Sequence, residues 1–164
     1  MIAVEDFLTM MRRAATGVTV VTTDGPAGRA GVTVSAMCSV SLEPPSVLVC
    51  VRSTSGVVLL VQGNGCFCVN ILAGHHKRVA ECFAGRVEEL REDRFACAEW
   101  HRLATGAPVL TDALASFDCK LTNEVAFGTH VILIGTVLAG RGQEGGPLIY
   151  TNRDYGVTAP LPLA

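Results

Sequence analysis

Apolar and polar positions along this chain follow a period that changes several times. Residues 4–14 carry Phe7, Leu8, Met10 and Met11 at helical spacing, with Arg12 and Arg13 where a helix dipole favours cations, and Gly17 as a stop. Val18-Thr19-Val20-Val21-Thr22-Thr23 is β-branched throughout and predicts a strand. Asp24-Gly25-Pro26-Ala27-Gly28 is turn chemistry, so residues 18–41 read as a hairpin. Val32, Thr33, Val34 and Val40 keep the returning arm extended. Ser35, Ala36, Ser39 and Ser41 are small, which lets a flat ligand lie close to the backbone. Pro44-Pro45 donates no ladder hydrogen bond and is expected to stop the pairing. Val47 to Val51 is a continuous apolar run, as in a strand buried on both faces. The polar stretch Arg52-Ser53-Thr54-Ser55 follows at once, and then Val57-Val58-Leu59-Leu60-Val61. A helix over 56–62 with Ser55 as its N-cap makes this junction an anion site.

The later half continues the pattern. Gly63-Asn64-Gly65 is a turn, 66–72 a strand, and 75–85 a helix capped by Gly85. The charged segment Arg86 to Arg94 predicts a second short surface helix. Gly106-Ala107-Pro108 marks a loop, and strands are expected over 113–122, 131–138 and 148–150. Six or seven strands with short, hairpin-like connections predict a mostly β protein, an antiparallel β-barrel with peripheral helices. One domain accounts for residues 1–164.

Composition sharpens this picture. The chain is 49% hydrophobic, with a mean hydropathy of +0.41. Its longest apolar runs fall far short of the roughly 20 residues of a spanning helix. The excess is expected to be hidden in a homodimer rather than a membrane. A net charge of −2 leaves no footprint for nucleic acid. The first residues have neither a basic nor an apolar leader region, so a cytoplasmic protein is expected. The seven cysteines are odd in number, scattered and without C-x-x-C, which reads as reduced, mostly buried thiols.

Two patterns carry little chemistry. Gly140-Arg141-Gly142-Gln143-Glu144-Gly145 matches G-x-G-x-x-G, but Gly146-Pro147 and a strand follow where a dinucleotide fold needs a helix. His75-His76 reads as a solvated polar pair with no convincing carboxylate partner, so no metal is expected, and His101 carries no signal. His130, in Phe127-Gly128-Thr129-His130 at the head of the strongest late strand, suits a structural and a functional histidine equally.

Gly31 to Val51, with its Ser-Val-Ser-Leu-Glu-Pro-Pro centre, resembles the flavin-binding segment of the short-chain NAD(P)H:flavin oxidoreductases, the reductase components of two-component monooxygenases such as 4-hydroxyphenylacetate 3-monooxygenase. Cys82-Phe83-Ala84-Gly85-Arg86 is similar to that family's Phe-Ala-Gly-Lys/Arg segment, and Tyr150 to Tyr155 to its closing Tyr-x-x-x-x-Tyr. Gly128-Thr129-His130 stands where the family has Gly-Asp-His, with Thr129 in place of the carboxylate. The resemblance runs from Ala15 to Tyr155.

It implies an FMN-binding split barrel and hydride transfer from NADH or NADPH to FMN or FAD. The resemblance places Thr33, Val34, Ser35, Ala36, Met37 and Val51 along the flavin and Phe83 at its border. It places Arg52, Ser53, Ser55 and Arg86 on phosphate, and His130 at the nicotinamide. A separate flavin-dependent monooxygenase is the implied acceptor. The stretch from Arg94 to Cys119 is also similar to a branch of cob(II)yrinate or corrin reductases. A non-catalytic flavin- or haem-binding module, with His75, His76 or His130 on haem, is the reading from another class.

Overall fold

The computed structural model describes residues 1–161. Helix α1 spans Val4–Met11 and buries none of its residues. Short strand β1 (Thr16–Gly17) leads into β2 (Thr19–Thr23), every residue of which is buried. β2 can be buried on both faces because it lies between two apolar clusters. Val21 joins a barrel interior with Val49, Val51, Phe67, Val69 and Leu133, whereas Val18 and Val20 pack with Leu72, Ala80, Phe83 and Leu110.

β2 turns into β3 (Ala30–Val34). The hairpin predicted to run to residue 41 ends there. Ser35 and Ala36 break it, and β4 (Met37–Leu42) pairs with β5 (Pro45–Arg52) instead. The double proline does not end pairing as expected. The chain reverses at Glu43-Pro44, and Pro45 opposes Leu42 as the first residue of β5, where its missing N–H costs least. Helix α2 (Gly56–Asn64) starts after Ser55, buries Val57, Val58 and Val61, and ends at Gly65.

β6 (Cys66–Ile71) is followed by α3 (Lys77–Phe83), which is two residues shorter at each end than the expected 75–85. The second surface helix forms only as single 3-10 turns over Glu88–Leu90 and Arg94–Cys97. Such a short charged segment buries too little to offset helix nucleation. β7 (Trp100–Arg102) and β8 (Pro108–Leu110) make a small ribbon. β9 (Ala115–Phe127) and β10 (His130–Gly142) are both longer than expected. β11 (Leu148–Thr151) and β12 (Asp154–Val157) close the fold over β1.

All ladders are antiparallel, and the main sheet has the order β3-β2-β6-β9-β10-β5-β4. The fold is mostly β with peripheral helices, as expected. Among the described residues, no helix is long and apolar enough to cross a membrane. The cysteines are free thiols. Burial, with the Asp118 carboxylate adding, pushes the Cys119 thiol up to about 12, consistent with its place as a small apolar group.

Candidate active site

β3 and β4 are the two edges of the main sheet, yet only Ser35 and Ala36 separate them along the chain. The sheet therefore curls until its edges adjoin. No ladder joins β3 to β4 or β5 among the described residues. The Cys50 N–H donates to the Ala36 carbonyl at 3.0 Å, which carries the β4–β5 pairing one residue further, to the corner where β3 ends. Between β3 and β5 a cleft of about 500 Å³ stays open. Val32 to Ala36 form one wall; Cys50, Val51, Arg52, Thr54, Ser55 and His130 form the other.

Register fixes the second wall. Arg52 on β5 stands opposite His130 on β10. Beyond the ladder, both the N–H and the hydroxyl of Ser53 donate to the Thr129 carbonyl, at 3.0 and 3.2 Å. That engagement holds the β9–β10 turn against the start of α2. The Thr129 hydroxyl lies 2.9 Å from His130 Nδ1. Thr129 thus gives the imidazole a hydrogen-bonding neighbour where the family motif has a carboxylate. Ser55 occupies the N-cap of α2, but its hydroxyl makes no cap bond to the helix.

The cleft thus brings together Thr33, Val34, Ser35, Ala36, Val51, Arg52, Ser55 and His130. Val51 itself is buried, with its side chain in the barrel interior. The Thr33 hydroxyl donates to the Ala80 carbonyl at 2.8 Å, tying β3 to α3. The remaining expected residues lie elsewhere. Met37 packs on the barrel interior. Ser53 is turned to Thr129, and Thr54 lines the cleft in its place. Thr54 was missed because the direction of a residue in a polar turn depends on its hydrogen bonds, not on its type.

Phe83 belongs to an aromatic cluster with Phe95 and Trp100, at ring distances of 5.1 and 5.5 Å. It also borders a second hollow of about 690 Å³, which shares Val32 and Ser55 with the cleft. Gly31 is required at this contact, because a Cβ there would stand 2.6 Å from the Phe83 ring. Arg29 lies over Phe95 at 4.5 Å and pairs with Asp93 at 3.5 Å, at the rim of that hollow. Arg86 stands beyond the Thr33–Ser35 ribbon, beside Tyr150 and Tyr155. Hydrogen bonding to Tyr150 holds its guanidinium above the ordinary value.

His75-His76 is not a solvated pair. His76 is 4% exposed, and both rings face Asp112, with nitrogen–oxygen distances of 3.4 and 3.0 Å. The Ala73 N–H donates to His76 Nδ1, so the proton of the neutral ring sits on Nε2 beside the carboxylate. Neither nitrogen offers a free lone pair to a metal. The group is a clamp between the start of α3 and the turn after β8.

Comparison with known proteins agrees with this geometry. The chain is 45% identical over 161 residues to the FMN reductase (NADH) RutF of Ancylobacter novellus, an alignment that covers 96% of this chain and 87% of that one. The NADH:FAD oxidoreductase SgcE6 of Streptomyces globisporus, solved in complex with NAD and FAD fragments, superposes with a TM-score of 0.86 at 27% identity, over 98% of this chain and 97% of that one. The styrene monooxygenase flavin reductase of Pseudomonas putida superposes with a TM-score of 0.83 at 29% identity, over 96% and 99%. Residues 11–159 match the model of the flavin reductase like domain, and the chain belongs to that family.

Proposed function

We propose that the protein is an NADH-dependent flavin reductase that reduces FMN and hands the reduced flavin to a separate monooxygenase. The observation that carries this reading is the open seam of the barrel. One edge of β3 pairs with β2 and the other has no strand partner among the described residues. Alternate backbone N–H and C=O groups therefore face the cleft, ready for the polar rim of a flat ring. Ser35 and Ala36 are too short to fill the space. Arg52, Thr54, Ser55 and the first N–H groups of α2 converge at one end, as a phosphate requires. The cleft residues therefore fit a flavin.

His130 is half-buried at the same cleft, and its Nε2 is left to meet a nicotinamide carboxamide. The bound flavin and nicotinamide supply the redox chemistry, hydride passing from nicotinamide C4 to flavin N5. The chain holds two flat rings in register and limits water between them, a task of orientation rather than of acid–base catalysis. Met37, Ser53, Phe83 and Arg86 act from outside the cleft, by packing and by fixing its walls.

A cytoplasmic homodimer of single-domain chains completes the reading. Val40, Leu42, Val125 and Phe127 on the strands, and Phe7, Leu8, Met10 and Met11 on α1, are exposed apolar groups that a second copy would cover. The test is oxidation of NADH and NADPH by the purified full chain with riboflavin, FMN or FAD. FMN with NADH is expected to give the highest kcat/KM. A chain that binds flavin yet oxidises neither nucleotide is a binding module, and the reading fails.

A further inference from the structure

The β9–β10 turn consists of two residues, and the positive φ of 57° falls on the first, Gly128. The backbone therefore makes no special demand on the second, Thr129. Thr129 is exposed, so packing makes none either. Its carbonyl and its hydroxyl are nevertheless both engaged. The carbonyl accepts the N–H and the hydroxyl of Ser53, at 3.0 and 3.2 Å. The hydroxyl lies 2.9 Å from His130 Nδ1, and this is the one hydrogen bond that the ring makes among the described residues.

An imidazole has two orientations of nearly the same shape, related by a half-turn about its second side-chain torsion. They differ in whether Nδ1 or a ring carbon stands beside the Thr129 hydroxyl. Only the first makes the hydrogen bond, and that choice fixes where Nε2 points. We propose that Thr129 is a positioning residue for the nicotinamide: its hydroxyl holds the His130 ring so that Nε2 stays directed at the cleft. The proposal rests on the flavin reductase reading, with His130 at the carboxamide. A hydroxyl both donates and accepts, so the neutral ring can carry its proton on either nitrogen. Nε2 then accepts from the carboxamide N–H or donates to its oxygen. Ser53 steadies the arrangement, because its two bonds to the Thr129 carbonyl keep the turn from swinging away. Ser53 sits between Arg52 and Thr54, both of which line the cleft. The histidine is thereby tied to the same polar corner that receives the flavin phosphate.

Thr129→Val keeps the shape of the side chain and removes the hydroxyl, whereas Thr129→Ser keeps the hydroxyl. In the full chain with FMN, Thr129→Val is expected to raise the KM for NADH about fivefold, the usual weight of one neutral hydrogen bond. The KM for FMN and the melting temperature are expected to hold, and Thr129→Ser is expected to restore the KM for NADH. In a His130→Ala chain, Thr129→Val is expected to change nothing further, because the group it acts through is gone. An unchanged KM for NADH in Thr129→Val overturns the proposal. So does an equal penalty in the His130→Ala chain, or a serine variant as weak as the valine one. A lowered melting temperature with a raised KM for FMN also overturns it, since the hydroxyl would then be a prop of the turn. These results leave the flavin reductase reading standing. A parent chain that oxidises no NADH with any flavin overturns that reading, and the proposal falls with it.

Discussion

Two sets of polar groups in this protein are built on opposite terms. Around Asn70 and Asp118, inside the fold, every group has a partner. Asn70 is fully buried; its amide donates to the Val20 carbonyl and the Thr22 hydroxyl, and its oxygen accepts from the Leu110 N–H and the Ser116 hydroxyl. Asp118, equally buried, accepts from the Thr105 N–H at 2.8 Å and from the Thr105 hydroxyl. Around Arg52 and Ser55, at the seam, side chains of the same polarity lack such partners among the described residues. A buried polar group left unpaired is costly, so the interior set must be complete. The seam set faces solvent, tolerates being incomplete, and is thereby open to a ligand. The contrast separates structure from function better than residue type does.

The largest expected effect tests the interior set. Asn70→Ala removes four hydrogen bonds from the core and should destabilise the fold by roughly 3–5 kcal/mol in urea titration. Its effect on activity should follow the folded fraction alone. The converse test is Arg52→Ala. Its melting temperature should hold while the KM for FMN rises by more than about tenfold, with NADH weakened as well because Arg52 stands beside His130. An Arg52→Ala chain that melts much earlier would place Arg52 with the interior set.

A smaller effect is expected at His130. His130→Ala should raise the KM for NADH by about tenfold, the weight of one hydrogen bond. Flavin affinity should not change. Unchanged NADH kinetics would remove His130 from the site. The last effect vanishes at neutral pH and concerns alkaline solution only. The Cys119 thiol is raised from 9.0 to about 12 by burial in the folded chain. The unfolded chain loses that proton first, so this stability is intact below pH 9.0 and is lost as pH rises toward 12. The slope is at most about 1.4 kcal/mol per pH unit. Cys119→Ala should flatten alkaline unfolding over that range.

The sequence made the strands legible where β-branched runs coincide with burial, as in residues 18–23 and 47–51. It hid the far ends of β9 and β10. Thr122 to Phe127 are exposed and bear no inward-facing pattern, so only the ladder reveals that they continue the strand. The seam lay in Ser35-Ala36, whose smallness was visible but whose position between two sheet edges was not. Arg52 and Ser55 were readable because their chemistry changes abruptly after an apolar run. Thr54 was not, because it reaches the cleft from a polar turn. His76 was misread because its partner, Asp112, is distant in the chain.

The pairing of Arg52 with His130 also limits which changes the molecule can absorb. Two residues, Gly128 and Thr129, separate β9 from β10, and their span sets the position at which β10 begins. Exchanging a side chain there leaves the count intact. Inserting one residue into β10 ahead of His130's neighbours would invert the alternation, so that imidazole and guanidinium would point to opposite sides of the ribbon. The register at this corner is therefore forgiving of substitution and intolerant of a change in length.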